Sequence, residues 1–145
     1  MNNSNNIFKL IFQSRSTNEA FARTAVAAFI AGLDPTIEEL TDIKTAVSEA
    51  VTNCIVHAYK NGTGLITVTA KLSSDKTLTV SVKDAGCGIE DIESAMLPTY
   101  TTDKVSERAG LGFSVMEAFM DKVKVHSTVG KGTTVTMKKR ISEKN

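Results

Sequence analysis

The sequence predicts an α+β fold, a two-layer sandwich of helices on an antiparallel sheet. Three observations carry it: two early stretches repeat apolar residues every three to four positions, several short stretches alternate them, and the helical segments are interspersed with hairpins. Ile7 to Gln13 alternates with Phe8, Leu10 and Phe12 on one side, which predicts a half-buried strand. A helix follows, its start marked by Ser16 and Glu19 in capping-box spacing and its stripe formed by Phe21, Ala22, Ala25, Val26, Phe29 and Ile30. Gly32 and Asp34-Pro35 end it. Thr36 to Glu39 repeats the capping pattern, and Ile37, Leu40, Ile43, Val47, Val51, Cys54 and Ala58 line a second helix expected to stop near Lys60-Asn61-Gly62.

Leu65 to Leu72 and Thr77 to Lys83 alternate around Ser73-Ser74-Asp75-Lys76, which predicts a hairpin. Ile89 to Leu97 has the makings of a short helix, Pro98 to Gly112 has little periodicity, and Phe113 to Met120 is helical again. Val123 to Thr128 and Thr133 to Lys139 then alternate as strands around Val129-Gly130-Lys131-Gly132. No repeat or low-complexity linker divides the 145 residues, so residues 1–145 are expected to form a single domain.

Composition narrows the function. Seventeen basic residues against sixteen acidic leave a formal charge of +1, which gives no argument for nucleic acid or an anionic membrane surface. The Lys138-Lys139-Arg140 run reads as a solvated chain end. No apolar run is long enough to span a bilayer, and the polar start lacks the regions of a signal peptide, so a cytoplasmic protein is expected. Cys54 and Cys87 make neither a disulfide framework nor a zinc spacing and read as free thiols.

Four constellations stand out. In "EAVTNCIVHAY" the residues Glu49, Asn53 and His57 are four apart, so on an α-helix they share one narrow ridge beside the apolar stripe. They are not the usual Lys and Glu of a solvated face, although a lone histidine near a core more often orders a neighbour than binds a ligand. Asp84, Gly86 and Gly88 form D-x-G-x-G after a strand, either a plain turn or a ledge for a flat ligand whose exocyclic amine donates to the aspartate. Arg108, Gly110, Leu111 and Gly112 feed the last helix, whose N-terminus would suit phosphate oxygens. The polar stretch before them, Thr99 to Lys104, suits a mobile lid or a surface loop. Gly130-Lys131-Gly132-Thr133-Thr134 is no P-loop, because the earlier glycine would fall at Val125 and a strand follows. It reads as a hairpin turn, with Thr133 as a possible hydroxyl contact.

In this order the four motifs resemble the boxes of the gyrase, heat-shock-chaperone, histidine-kinase and MutL ATPase superfamily. Together with "NEAFARTAVAAF", "LDPTIEELTDIKTAVSEA" and "GKGTTVTMKK" they look like the anti-sigma F factors of endospore-forming bacteria, which are serine kinases, and the likeness covers nearly the whole chain. The resemblance implies the Bergerat type of fold, helices on a mixed, mostly antiparallel sheet with ATP or ADP between the layers. It implies Asn53 as the Mg²⁺ ligand, Glu49 as general base, and Asp84 on the adenine amino group, with Gly86 and Gly88 letting the base approach. Gly110, Leu111 and Gly112 would offer N–H groups to phosphate, Arg108 would balance charge, and Thr133 would join the adenine network.

The implied partners are sigma factor F, held inactive by a homodimer, and an anti-anti-sigma factor that accepts phosphate on serine, with Arg23 on the docking surface. The rival reading is a nucleotide-gated binding module of the same fold without turnover. A sensor histidine kinase needs a phosphoacceptor histidine on a preceding helix, and neither His57 nor His126 fits.

Overall fold

The computed structural model describes residues 6–59, 62–96 and 104–142. Strand β1 (Asn6–Gln13) leads into helix α1 (Thr17–Ile30), a 3₁₀ turn at Ala31–Leu33, and helix α2 (Ile37–Asn53), which continues as a π-helical turn over Cys54–Ala58. Strands β2 (Leu65–Leu72) and β3 (Thr77–Asp84), helices α3 (Ile92–Met96) and α4 (Lys104–Phe119), and strands β4 (Lys122–Thr128) and β5 (Gly132–Arg140) complete the order. The sheet runs β1-β2-β3-β5-β4, and all four pairings are antiparallel. The parallel pairing that a mixed sheet needs is therefore absent among the described residues. Helices cover one face, with α2 packed between α1 and α4.

Side-chain alternation and register together dictate which residues face the helices. One inward row reads Phe8, Ala70, Val80, Met137, Val123, and the next reads Leu10, Val68, Val82, Val135, Val125. Both are apolar throughout, and with Ala22, Val26 and Ile30 of α1 and Ile43, Val47 and Val51 of α2 they make the core. Phe8 adds an edge-to-face contact with Phe29, ring centroids 4.7 Å apart. The third row starts the same way, with Phe12 and Ile66, and then turns polar at Asp84, Thr133 and Ser127. That polar half-row marks where the layers enclose something other than core.

Local chemistry confirms some of the sequence-based expectations and corrects others. The Thr36 capping box forms, Thr36 accepting from Glu39 N–H while the Glu39 carboxylate accepts from Thr36 N–H. The one expected at Ser16 does not form: Ser16 caps nothing with its side chain, and the Glu19 carboxylate is drawn instead to Arg23 and Ser48. Phe21 is exposed rather than part of the buried stripe, since the buried residues of α1 are Ala22, Val26 and Ile30. The Lys138-Lys139-Arg140 run belongs to β5, with Lys138 and Arg140 exposed as expected and Lys139 half-buried. Lys139 donates to the Phe119 carbonyl at the end of α4, and Arg140 donates to the Asp75 carbonyl. Among the described residues no helix is long and apolar enough to cross a membrane.

Candidate active site

Glu49 and Asn53 lie one turn apart in the last stretch of α2, both half-buried, facing α4. A Cβ built on Gly112 would come within 3.1 Å of Asn53 Nδ2, Asn53 Oδ1 and Glu49 Oε2, so carboxylate and amide converge on one point against α4. Asn53 Nδ2 is buried without a hydrogen-bond partner among the described residues. A buried amide in this state carries a desolvation cost that a bound group can relieve. The helix widens to π geometry from Cys54, and His57 sits half-buried on that turn rather than in the α-helix that carries Glu49 and Asn53.

The π turn instead presents backbone to the glycine loop. Ala58 O accepts Cys87 N–H at 3.0 Å, and His57 O accepts the Cys87 thiol at 3.3 Å. A side chain on Gly86 would collide with the Ala58 carbonyl, and one on Gly88, whose φ is +78°, with the Thr128 carbonyl. These two glycines were expected to let a ligand approach. The approach they permit in this fold is of the chain to itself, and it seals the loop between α2 and β4.

Asp84 is buried, its exposure only 5%. Its Oδ1 accepts Gly86 N–H at 2.9 Å and Thr133 N–H at 3.2 Å, which fixes the carboxylate. Burial pushes the Cys54 thiol well above its ordinary pKa, and the Asp84 charge beside it, which the thiol hydrogen-bonds, pushes it further. Both cysteines are free, Cys54 buried and Cys87 exposed. Two contributors had no place in the sequence reading. Tyr59 buttresses the loop by accepting Ala85 N–H, and Ser127 sits 2.7 Å from the Thr133 hydroxyl. The signal for Ser127 was present: it occupies an inward position of a strand whose other inward residues are Val123 and Val125.

The third constellation is placed differently from expectation. Gly110, Leu111 and Gly112 do not open a helix but lie inside α4, which begins at Lys104. Lys104-Val105-Ser106-Glu107-Arg108-Ala109 holds several good helix formers and extends the helix back across the glycines. Only the first four N–H groups of a helix lack partners, so the glycine N–H groups are not offered as a free cradle here. The Arg108 side chain and the segment Thr99 to Asp103 lie outside the described residues.

Arg23 borders a groove between α1 and α2 of about 260 Å³ that also meets Thr41, Lys44, Ser48 and Glu49. Glu19 holds it in place, accepting from Arg23 Nε at 2.8 Å and from the Ser48 hydroxyl at 2.6 Å. Glu49 thus lies between the groove on one side and Asn53 on the other. Among the described residues no three His, Cys, Asp or Glu side chains cluster as a metal cage. Asn53 fits a different arrangement, in which a hard cation takes one protein oxygen and its remaining ligands from phosphate and water.

The family model described as a histidine kinase-like ATPase domain matches residues 12–139. The chain is 61% identical over 137 residues to an anti-sigma F factor of Caldanaerobacter subterraneus subsp. tengcongensis, covering 94% of this chain and 95% of that one. It is 53% identical over 137 residues to that of Clostridium acetobutylicum, with coverage of 94% and 95%. Among solved structures, the RsbU and RsbW domains of Rv1364c from Mycobacterium tuberculosis share the fold at a TM-score of 0.70 and 21% identity, over 96% of this chain and 33% of that one. The histidine kinase domain of the Erythrobacter litoralis blue-light activated kinase does so at 0.56 and 21%, over 85% and 60%.

Proposed function

Because this chain belongs to the anti-sigma F factor family, within the histidine kinase-like ATPase domains, we propose that it binds Mg-ATP, holds sigma factor F inactive as a homodimer, and phosphorylates a serine of an anti-anti-sigma protein. The observation that carries the enzymatic part is the convergence on a single point against Gly112 of Glu49 and the Asn53 amide, whose Nδ2 has no hydrogen-bond partner among the described residues. A binder needs the amide for nucleotide but has no use for a carboxylate beside it.

The nucleotide lies with its base toward the polar half-row and its phosphates toward Asn53. Asp84 takes the adenine amine on Oδ2, its Oδ1 being held by two N–H groups. Asn53 offers its side-chain oxygen to Mg²⁺, which when bound neutralises phosphate charge and orients the γ-phosphoryl group. Glu49, roughly 6 Å away along the helix axis, accepts the proton of the attacking serine hydroxyl. Phosphoryl transfer asks for little else than positioning and charge stabilisation, because its transition state is loose. The groove beside Arg23 ends at Glu49, so a protein docked on Arg23 delivers its serine to the base. For Gly110 to Gly112 to donate to phosphate, the first turns of α4 must unwind, and two glycines lower that cost by about 1 kcal/mol each relative to alanine.

The test is incubation of the chain with labelled ATP, magnesium and an anti-anti-sigma protein, followed by phosphoamino-acid analysis. Label on the partner's serine is expected. Label on this chain instead would identify an autokinase, and nucleotide-dependent capture of sigma factor with no label anywhere would identify a binding module.

A further inference from the structure

A formal charge of only +1 conceals an asymmetry. Asp84 is the one acidic residue in the five described strands, and it faces inward. The helices cover the inward face, so every charge that the strands present outward is positive. Side chains alternate along a strand, which puts Lys83 of β3, Lys138 of β5, and Lys122 and Lys124 of β4 on the outward face, all four exposed.

Lys122 and Lys138 are direct cross-strand partners, and Lys124 follows one pleat along. Like charges placed opposite each other repel, and among the described residues none of these three lysines has an ion pair. The acids of the adjoining connections are engaged elsewhere: Asp75 accepts Thr77 N–H at 3.1 Å and Asp121 accepts Arg140 N–H at 2.8 Å. Lysine on an edge strand deters edge-to-edge pairing. That accounts for β4 but not for Lys138 and Lys83, which belong to interior strands. Between the lysines the outward hydroxyls of Ser81 and Thr136 lie 3.3 Å apart. One of their two protons serves that bond, and the other remains for a visiting acceptor.

We propose that the outward face of β3, β5 and β4 is a docking surface for an acidic segment of a partner protein, separate from the nucleotide site on the inward face. Carboxylates relieve the repulsion between Lys122 and Lys138 and accept from the remaining hydroxyl. A second copy of this face would bring the same charges together. Single-stranded nucleic acid calls for aromatic side chains to stack on, and these three strands hold no Phe, Tyr or Trp. An anionic membrane calls for an apolar anchor beside the charge, and the exposed Ile7, Ile11 and Leu65 lie at the far β1–β2 end.

The experiment is an NMR titration of the isotope-labelled full chain with a decaglutamate peptide at about 0.1 M salt, where charges more than about 10 Å apart are screened, repeated with a short DNA duplex and with phosphatidylserine-containing vesicles. Shifts should concentrate on β4 and β5, and Lys124→Gln/Lys138→Gln should weaken peptide binding about fivefold, the scale of two exposed ion pairs. Arg15→Gln/Lys44→Gln removes the same charge from the turn before α1 and from α2 and should change binding less than about twofold. Equal losses in the two double variants would show attraction by net charge alone and overturn the inference, as would shifts confined to the groove beside Arg23. Tighter binding of the duplex or of the vesicles at these strands would overturn the assignment to a protein partner.

Discussion

Tyr59 accepts the backbone N–H of Ala85 on its hydroxyl at 2.7 Å while donating to the Leu65 carbonyl at 2.7 Å. One side chain thereby ties the end of the α2 helix to the first residues of β2 and of the glycine loop. Tyr59→Phe keeps the ring and strands both backbone groups, so the chain should lose about 1 kcal/mol of stability in urea unfolding and bind ADP more weakly as the loop loosens. The pH dependence has a definite sign. Burial raises the Tyr59 pKa, the Ala85 hydrogen bond opposes this, and the nearby Asp84 charge adds to the rise, leaving it above the usual value near 10. A raised pKa means that the fold favours the neutral phenol. The contribution is complete below about pH 10 and is lost as pH climbs through the folded value, so the stability gap between the parent and Tyr59→Phe should narrow only in that alkaline range.

Gly112 separates folding from activity. Inside α4 a glycine is about 1 kcal/mol less favourable than alanine, yet a Cβ there would press on Glu49 and Asn53 at 3.1 Å. Gly112→Ala should melt no lower than the parent while phosphoryl transfer falls at least ~10-fold, since small misplacements of reacting groups are costly. A variant that transfers phosphate at the parental rate would show that the pair does not need the space.

The strands and both long early helices were legible because their apolar residues keep a strict period, as the inward rows from Phe8 to Val123 and from Leu10 to Val125 show. Glu49, Asn53, Asp84 and Thr133 were legible as motif members, and the fold brings them together in two pairs, Glu49 with Asn53 and Asp84 with Thr133. Three things were hidden for physical reasons. The π turn at Cys54 leaves no mark in the residue pattern, so the segment to Ala58 read as one continuous α-helix. The start of α4 was hidden because two glycines interrupt the helical signal that Glu107, Arg108 and Ala109 extend. Ser127 and Tyr59 matter through contacts across 38 and 26 residues of sequence, which only tertiary register creates.

Glu49 tests the phosphoryl-transfer reading. Glu49→Gln keeps the shape beside Asn53 but cannot hold a proton taken from a serine. Mg-ATP affinity should stay within about twofold, while phosphorylation of the anti-anti-sigma partner drops at least ~100-fold, the usual scale for a positioned base. Retention of full transfer activity would remove Glu49 from the chemistry, and a large loss of ATP affinity would reassign it to nucleotide binding.

Asp84→Asn probes base recognition with the least disturbance to the fold. The two N–H groups that hold Asp84, from Gly86 and Thr133, need one acceptor oxygen, and an asparagine carbonyl can supply it. The amide nitrogen then occupies the position of Oδ2 and points a donor at the adenine amine, which is itself a donor. Stability should change little, because the buried backbone donors stay satisfied, whereas ADP affinity should fall at least ~10-fold through the lost charge-assisted bond and the opposed donors. The same variant should lose less affinity for IDP, whose 6-oxo group can accept from the new amide. Unchanged ADP affinity by calorimetry, or parallel losses for both nucleotides, would place the base elsewhere and leave the Asp84 carboxylate as a structural clasp between β3 and β5.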